Sequence, residues 1–344
     1  MQALPLSSIA VTHPPAKLNL FLELMGKRED GYHDIDTVMV AIDWRDQLRI
    51  QQSETPGVQL AVQWMPSLEI VARELGVDPD SDQGQSLLAI PDDSRNLVHR
   101  ALARFAEHFG LATGFSCHLA KSIPAGAGMG GASSDAASAL LCAATLSGIP
   151  QDHPDLVVLA AELGSDIPFF LGNAATAWTA ARAQGRGEQL TPVALTTQLN
   201  TVVAFPATSL STAKIYSESS ISDTPQPADA FIGALKTGDW GSIASHMCNR
   251  LQEPASKIAP QIDEILKSMW HLGLRGCQLT GSGSACFGLA ESAIHATRLA
   301  SQLRNQYSAV QQRGVRSDAD RQSLPTARVV AASSVLVPAS IQIE

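Results

Sequence analysis

The feature that most constrains the fold of this chain is a glycine-rich stretch at residues 121–135, KSIPAGAGMGGASSD. Its four glycines are Gly126, Gly128, Gly130 and Gly131. Glycine has no Cβ, so this backbone turns tightly and lets a ligand approach closely. An alanine-rich segment follows at 136–146, and Ser133 or Ser134 is predicted to cap its helix. A helix start presents free N–H groups to an anion, so the stretch predicts a phosphate-binding loop. The alternative is a glycine-rich turn without a ligand.

Two common phosphate loops fit this stretch poorly. A P-loop has a lysine directly after its last glycine, and Ala132 stands at that position here. The letters of a dinucleotide-binding fingerprint are present, but Pro124 comes just before them. Proline cannot donate to the ladder of a buried parallel strand, so the strand that this fingerprint requires is not predicted.

The pattern from Pro124 to Ser134 resembles the second motif of the GHMP kinases, which include galactokinase, homoserine kinase and mevalonate kinase. Its ending, GGASSDAA, is similar to the family that phosphorylates 4-diphosphocytidyl-2-C-methyl-D-erythritol. That family usually has Leu and Gly where this chain has Met129 and Ala132, and alanine restricts a positive φ at 132. The resemblance implies that ATP is bound by Pro124, Gly126, Gly128, Met129, Gly130, Gly131, Ser133 and Ser134.

Residues 16–24 alternate as a β-strand does. One face carries four leucines, and the other carries Lys17, Asn19, Phe21 and Glu23. The polar face either lines a site or is simply solvated. An Asp-Gly turn signal follows, and then Tyr32 and His33, which suit stacking on a flat heterocycle and hydrogen bonding to it. The alternative is a hairpin in which Tyr32 packs on its own strand.

This N-terminal segment resembles the first motif of the same family more specifically than the glycine loop does. The resemblance implies that Lys17 is catalytic and that Asn19 lies beside it at the phosphoryl acceptor. It also implies that Tyr32 and His33 hold the cytosine of the substrate.

Asp166 is a candidate catalytic residue at a break between two predicted elements. Ile167 precedes a proline and is therefore biased away from helical conformation. The residue pattern alone leaves open a capping role for Asp166. The stretch LGSDIPFF resembles a family motif whose aspartate is the catalytic acid or base.

Two further segments supply binding candidates. Asn96 precedes a predicted helix, where it is either an ordinary N-cap or, as the resemblance implies, an adenine contact. The sequence LTGSGS at 279–284 resembles the third GHMP motif, which implies substrate contacts from Gly281 and Ser282. A tight entry into a strand, with no ligand, is the alternative.

Composition excludes several classes of protein. The net charge of −9 argues against general nucleic-acid binding, which favours basic patches. The five cysteines include no Cys-x-x-Cys pair, so neither a disulfide scaffold nor a zinc site is predicted. No apolar run is long enough for a membrane span and no signal peptide is recognised, so we expect a cytoplasmic protein.

The resemblance implies an α+β, two-domain GHMP kinase fold. An N-terminal ATP-binding domain like ribosomal protein S5 domain 2 is expected at 1–195, with an insertion at about 53–95. A ferredoxin-like substrate domain is expected at 196–344. Alternating hydrophobicity predicts further strands at 35–42, 47–51, 58–62 and 329–337. Helical periodicity predicts helices at 68–75, 156–163, 228–236, 240–251 and 258–272. A polar connection is expected at 311–325.

The expected activity is transfer of a phosphoryl group from ATP, with Mg²⁺, to the cytidine diphosphate derivative of methylerythritol. The ligands of the magnesium ion are left unassigned. No nucleic-acid or membrane partner is expected, and the protein is expected to be a monomer or a homodimer. The alternatives are a GHMP kinase for another small alcohol and a non-catalytic nucleotide-binding regulator.

Overall fold

The computed structural model describes residues 3–172, 178–312, 326–336 and 340–344, without the side chains of 308–312. The elements of the first part are β1 (Ile9–Thr12), β2 (Pro15–Lys27), β3 (His33–Arg45), β4 (Gln47–Ser53), β5 (Val58–Trp64), α1 (Leu68–Leu75), α2 (Asp82–Leu88), α3 (Leu97–His108), β6 (Gly114–Lys121), α4 (Gly131–Leu146), α5 (Pro154–Leu163), α6 (Ile167–Leu171), β7 (Ala180–Gly185) and β8 (Gln189–Pro192). Those of the second part are β9 (Asn200–Pro206), α7 (Thr212–Ser217), α8 (Asp229–Thr237), α9 (Trp240–His246), β10 (Cys248–Asn249), α10 (Gln252–Ile258), α11 (Gln261–His271), β11 (Arg275–Leu279), β12 (Cys286–Ala290), α12 (Ala293–Gln312), β13 (Ala327–Ser333) and β14 (Gln342–Ile343).

Three sheets organise the described residues. The first has the strand order β14-β1-β4-β6-β5, the second β10-β2-β3-β7-β8, and the third β11-β12-β9-β13. The long hairpin of β2 and β3 lies at the centre of the second sheet and leads to the loop that carries Tyr32. The mixed α and β elements confirm the expected fold class.

Separate apolar cores hold these layers together. Helices α3, α4 and α5 pack on the first sheet, and α4 contributes mainly alanines, whose small side chains allow close packing. A second core lies between the second and third sheets and joins residues from both halves of the chain, such as Val40 and Phe205. Strand β14 also returns to pair with β1. The predicted boundary at 195 stays a prediction.

The segment at 53–95 is folded and packed rather than a loose loop. Strand β5 adds a parallel edge to the first sheet beside β6. Val71, Leu75, Leu87 and Leu88, from α1 and α2, are buried in the core between the second and third sheets. Glu74 on α1 forms an ion pair with Arg328 on β13, at 3.0 Å.

The predicted strands at 16–24, 35–42, 47–51 and 58–62 are confirmed, as are the helices at 68–75, 156–163 and 228–236. The predicted helix at 240–251 is wrong beyond His246, because Cys248 and Asn249 pair with β2 instead of continuing the helix. The helix predicted at 258–272 forms from 261 to 271. The predicted strand at 329–337 forms from 327 to 333, and most of the polar connection, 313–325, lies outside the described residues.

Candidate active site

Lys17 lies at the centre of the site on β2, with a side chain that is only 4% exposed. Its Nζ donates to Asn19 Oδ1 at 2.6 Å and to the carbonyl oxygen of Gly128 at 2.8 Å. Asp166 Oδ2 lies 3.7 Å from the same nitrogen. Burial lowers the pKa of Lys17, and the nearby Asp166 carboxylate opposes that shift. The polar face of β2 is therefore buried, which excludes the solvated alternative.

Asp166 stands directly before α6, and its carboxylate makes no capping hydrogen bond to that helix. Its side chain remains 39% exposed while it faces the buried Lys17 ammonium. A carboxylate that is both paired with a cation and open to solvent is placed to meet a ligand. The capping alternative for Asp166 is not realised.

Asn19 orients Lys17 through a fixed set of hydrogen bonds. Its Nδ2 donates to Thr37 Oγ1 at 2.9 Å, and its Oδ1 accepts from Thr280 Oγ1 at 3.3 Å as well as from Lys17. The amide is thus held between β3 and the turn after β11. Because both ends of the amide are engaged, its rotation is fixed, and Lys17 has one preferred position.

The glycines of the loop differ in their surroundings: Gly128 lies against another loop of the protein, and Gly126 faces open space. Gly126, Gly128 and Gly130 all have positive φ, near 65–75°. A Cβ on Gly128 would lie 2.2 Å from the carbonyl oxygen of Thr280, so the two loops cross with no room for a side chain. A Cβ on Gly126 would meet nothing within 4 Å. The part of the loop with open space beside it is therefore centred on Gly126.

The predicted serine cap of α4 is wrong. Gly130, in the left-handed region, occupies the N-cap position, and no side chain caps the helix. Ser133 and Ser134 lie inside the first turn, where the Ser134 N–H already bonds to the carbonyl of Gly130 at 2.9 Å. The first N–H groups of a helix lack partners within the helix, so this end still suits an anion. The Ser134 hydroxyl is buried and has no hydrogen-bond partner among the residues that the structure describes.

A buried charge cluster braces the loop from below. Lys121 Nζ forms ion pairs with Asp46 and, at 2.7 Å, with Asp135 in the first turns of α4. The other oxygen of Asp46 accepts from the backbone N–H groups of Ser122 and Ile123. Burial raises the pKa of Asp135 to about 8, whereas the carboxylates raise the pKa of Lys121 against the effect of its burial.

Two further loops carry predicted binding residues. Asn96 caps α3, since its Oδ1 accepts from the Val98 N–H at 2.9 Å, and its Nδ2 donates to the carbonyl of Pro91 at 2.7 Å. The capping role of Asn96 is therefore present, and an adenine contact stays a prediction. Gly281 has a φ of 55° and packs against the Gly128 backbone. Ser282 shares a hydrogen bond of 2.8 Å with Thr212.

The loop at 28–34 extends from the hairpin as a more exposed region. Tyr32 is 55% exposed, and Arg186 lies over its ring with Cζ 3.9 Å from the centroid. His33 lies 5.6 Å, between ring centroids, from Tyr216 on α7. Burial, with a contribution from nearby Asp166, raises the pKa of Tyr216 to about 12. Tyr32 does not pack on its own strand in the way that the alternative required.

Comparison with known proteins agrees with this geometry. Residues 96–173 match the model of the GHMP kinases N terminal domain, and residues 231–309 match that of the GHMP kinases C terminal domain. A curated protein of Rhodopirellula baltica, 4-diphosphocytidyl-2-C-methyl-D-erythritol kinase, is 47% identical over 305 residues, which cover 86% of this chain and 91% of that protein. The protein of the same name from Thermobifida fusca is 34% identical, with 84% and 90% covered. The chain belongs to the 4-diphosphocytidyl-2-C-methyl-D-erythritol kinase family.

Solved structures support the same family and fold. A crystal structure of 4-(cytidine 5'-diphospho)-2C-methyl-D-erythritol kinase is 31% identical, has a TM-score of 0.68 and covers 94% of this chain and 98% of its own. A homoserine kinase from Cytophaga hutchinsonii has the same TM-score at 16% identity and covers 99% of each chain. At that identity, the second likeness shows the fold alone.

For this member of the diphosphocytidyl-methylerythritol kinase family, the structure also reveals site residues that sequence reasoning missed. Asn249 Nδ2 donates to the carbonyls of Leu279 and Gly281, at 2.7 and 2.9 Å, and so fixes the turn of the third motif. Thr280 and Tyr216 were likewise not singled out. Of these residues, only Thr280 could have been found from the sequence, because it belongs to the LTGSGS motif at 279–284.

In the described part of the chain, no helix is long and apolar enough to cross a membrane. The same residues contain no group of three or more His, Cys, Asp or Glu side chains placed to hold a metal ion.

Proposed function

We propose that this protein transfers the γ-phosphoryl group of ATP to the 2-hydroxyl of 4-diphosphocytidyl-2-C-methyl-D-erythritol, giving the 2-phosphate and ADP. This reaction belongs to the non-mevalonate route to isoprenoid precursors. The observation that supports it most directly is the Lys17–Asp166 pair at 3.7 Å, set beside the glycine loop in a chain of this family.

Asp166 receives the acceptor hydroxyl in this proposal. As the oxygen of the hydroxyl forms its bond to the γ-phosphorus, the bond from that phosphorus to the bridging oxygen of ADP breaks. The hydroxyl proton passes to the Asp166 carboxylate, or the carboxylate orients the hydroxyl until the proton leaves. Lys17, held by Asn19, keeps a positive charge beside the transferred group and stabilises its negative oxygens.

The glycine loop is the proposed site for the ATP phosphates. Its open rim at Gly126 and the uncapped first turn of α4 present backbone N–H groups, and Pro124 and Met129 shape the loop around them. Ser133 and Ser134 lie in that turn, and Asn96 is the proposed adenine contact. Gly281 and Ser282, on the turn that faces the glycine loop, are the proposed substrate contacts there.

Magnesium is proposed to accompany ATP, since phosphoryl transfer requires neutralisation of the phosphate charge. Mg²⁺ commonly takes few protein ligands besides phosphate oxygens and water. Ser134, whose buried hydroxyl has no hydrogen-bond partner in the described part of the chain, is the residue that would hold it.

The organic substrate is proposed to lie between the hairpin loop and α7. Tyr32 offers an exposed aromatic face, and His33 offers a hydrogen-bonding edge beside Tyr216. Tyr32 and His33 suit a nucleobase, and they therefore disfavour a different small alcohol, without a base, as the substrate. A non-catalytic regulator is disfavoured by the intact Lys17 and Asp166. We further propose a cytoplasmic monomer or homodimer that binds no nucleic acid.

The function is tested with a panel of acceptors and ATP: the cytidylylated methylerythritol, mevalonate, homoserine and galactose. We expect phosphorylation of the first compound alone, measured as ADP release and as product mass. Comparable kcat/KM on another alcohol would overturn the substrate assignment.

A second substrate sharpens the test of base recognition. In the analogue with uracil in place of cytosine, an amine donor becomes a carbonyl acceptor. Polar groups matched to cytosine would then be left unpaired, so we expect strong rejection. Equal use of both bases would mean that the 28–34 loop does not read the base.

A further inference from the structure

Arg186 stacks on the aromatic ring that the proposed function assigns to the substrate base. Its guanidinium carbon lies 3.9 Å from the centroid of the Tyr32 ring. Tyr32 nevertheless remains 55% exposed with the guanidinium in place. One face of the ring is therefore covered by the cation, while a large part of the ring stays open to a ligand.

The backbone holds Arg186 in this position. It lies at the tip of the hairpin of β7 and β8, and the register of β3 with β7 places Gly185 opposite Ile35, beside the 28–34 loop. Gly185 and Gly187 have φ of 69° and 110°, which makes the tight turn. The Arg186 N–H donates to Glu188 Oε2 at 2.6 Å, so the carboxylate of Glu188 binds the turn and not the guanidinium.

Arg186 differs from the nearby cations Arg28 and Lys17, because each of those two lies within ion-pair distance of a carboxylate. Arg28, on the same loop as Tyr32, forms ion pairs with Asp30 and Asp34 at 3.4 and 3.0 Å. Lys17 faces Asp166. For Arg186, by contrast, no carboxylate of the described residues forms an ion pair with the guanidinium, and Asp30, whose pKa Arg186 helps to lower, interacts with it only at longer range.

We propose that Arg186 is a substrate-binding residue that recognises the cytidine diphosphate end of the organic substrate. The guanidinium backs one face of Tyr32 while the base stacks on the other, and its N–H groups reach the diphosphate at the ring edge. A guanidinium suits both tasks, because it stacks on aromatic rings and donates in pairs to phosphate oxygens. This inference rests on the proposed function, and it names the cation that reads the charge of that substrate.

The test compares three ligands of increasing charge, namely cytidine, CMP and CDP, by titration calorimetry without ATP. Arg186→Gln removes the charge, and Arg186→Lys keeps it without the planar fork. Lys267→Gln, on the exposed side of α11, is the control, because it changes net charge equally at a distance. Thermal melting of each variant checks that the fold is intact.

We expect Arg186→Gln to weaken CDP binding on the order of tenfold, the scale of one lost charged hydrogen bond, and cytidine binding by less than about threefold. The dependence of CDP affinity on salt should fall in Arg186→Gln, persist in Arg186→Lys and be unchanged in Lys267→Gln. Equal losses for cytidine and CDP, unchanged affinities, or tighter cytidine binding in Arg186→Gln would each overturn the proposal.

The proposed function itself is checked separately with the wild-type protein. If wild type fails to phosphorylate the cytidylylated methylerythritol, the function is wrong. If wild type turns that substrate over and Arg186→Gln shows no charge-dependent loss, only the role of Arg186 is wrong.

Discussion

The glycine loop, proposed to bind ATP, and the 28–34 loop, proposed to bind the organic substrate, are built very differently. The glycine loop is fixed by other elements: the Lys17 N–H bonds to the Met129 carbonyl at 2.9 Å, and the Ala285 N–H bonds to the Ala127 carbonyl at 3.1 Å. The 28–34 loop is held mainly by its own exposed ion pairs. Exposed pairs contribute little to stability, so this loop depends less on the core.

The contacts that hold the glycine loop in place continue to residues that are distant in sequence. Ser122, at its base, receives a hydrogen bond from Trp44 Nε1 to its hydroxyl at 2.9 Å and one from Arg328 to its carbonyl at 2.8 Å. Arg328 in turn pairs with Glu74 in the 53–95 segment. The proposed phosphate site is therefore preorganised by the fold, whereas the proposed base site lies on an exposed loop at the edge of the molecule. Variants in the first region should therefore affect stability and ATP binding together, and variants in the second should affect the organic substrate alone.

The largest expected effect lies where the two regions meet, at Asp166. Asp166→Asn keeps the shape of the side chain and removes the carboxylate that faces the acceptor hydroxyl. We expect kcat to fall by about 10² or more while ATP still binds, as loss of a general base usually causes. Steady-state kinetics and ATP titration measure the two quantities.

The matched control for that experiment is Asp152→Asn, an exposed aspartate in the turn before α5. It should leave kcat unchanged. A near-normal kcat in Asp166→Asn would show that Asp166 is not needed for proton transfer or for orientation of the acceptor.

Tyr32→Ala tests the second region alone. Loss of a base–aromatic stack costs about 1–3 kcal/mol, so kcat/KM for the organic substrate should fall roughly ten- to hundredfold. Because Tyr32 lies on the exposed loop, KM for ATP and the melting temperature should stay near wild type. A similar rise in KM for ATP would show that the 28–34 loop and the glycine loop do not act independently.

Much of this arrangement was predictable from short-range pattern. Alternation located β2, and the predicted break at Asp166 is present, but Ile167, which was expected to avoid helical conformation before Pro168, begins α6. The glycine pattern located the loop, but the capping rule selected a serine where a left-handed glycine, Gly130, begins the helix. Glycine at 130 is required because a side chain there would collide with Phe170, which is distant in sequence.

Other features depend on contacts that a single sequence does not display. The helical pattern through residue 251 is overridden at Cys248 because the edge of β2 accepts a parallel partner there. Tyr216 reaches His33 from another part of the chain, and Arg328 reaches Ser122 across 206 positions. Tyr216 and Arg328 belong to no recognisable local motif, so only the long-range packing of the folded chain brings them near the site.

Gly128→Ala tests the brace of the first region. A Cβ there would lie 2.2 Å from the Thr280 carbonyl oxygen, on a backbone with a φ of 75° that alanine adopts poorly. We expect KM for ATP to rise about tenfold and the protein to melt at a lower temperature. Gly110→Ala, in the exposed turn after α3, is the control, since it shares the positive φ, at 62°, but its Cβ would meet no described atom within 4 Å. Equal effects of the two substitutions would mean that the loop crossing is not what positions ATP.

The smallest expected effect concerns the buried cluster of Lys121, Asp46 and Asp135. One ammonium and two carboxylates carry a net negative charge when all are ionised, and burial disfavours that state. Burial accordingly raises the pKa of Asp135 to about 8, whereas an aspartate in the unfolded chain titrates near 3.9. Between these values the folded state binds the extra proton, so the contribution of Asp135 to stability should fall as pH rises toward about 8.

Asp135→Asn fixes the neutral form and should remove this part of the pH dependence. We therefore expect the free energy of unfolding of the variant to fall less than that of wild type between pH 6 and 8, measured by urea denaturation. The converse change, Asp46→Asn, removes the carboxylate that also accepts from the backbone of Ser122 and Ile123, and should destabilise the protein at every pH. If Asp135→Asn kept the wild-type slope, the proton would reside elsewhere, and the brace beneath the phosphate loop would remain charged.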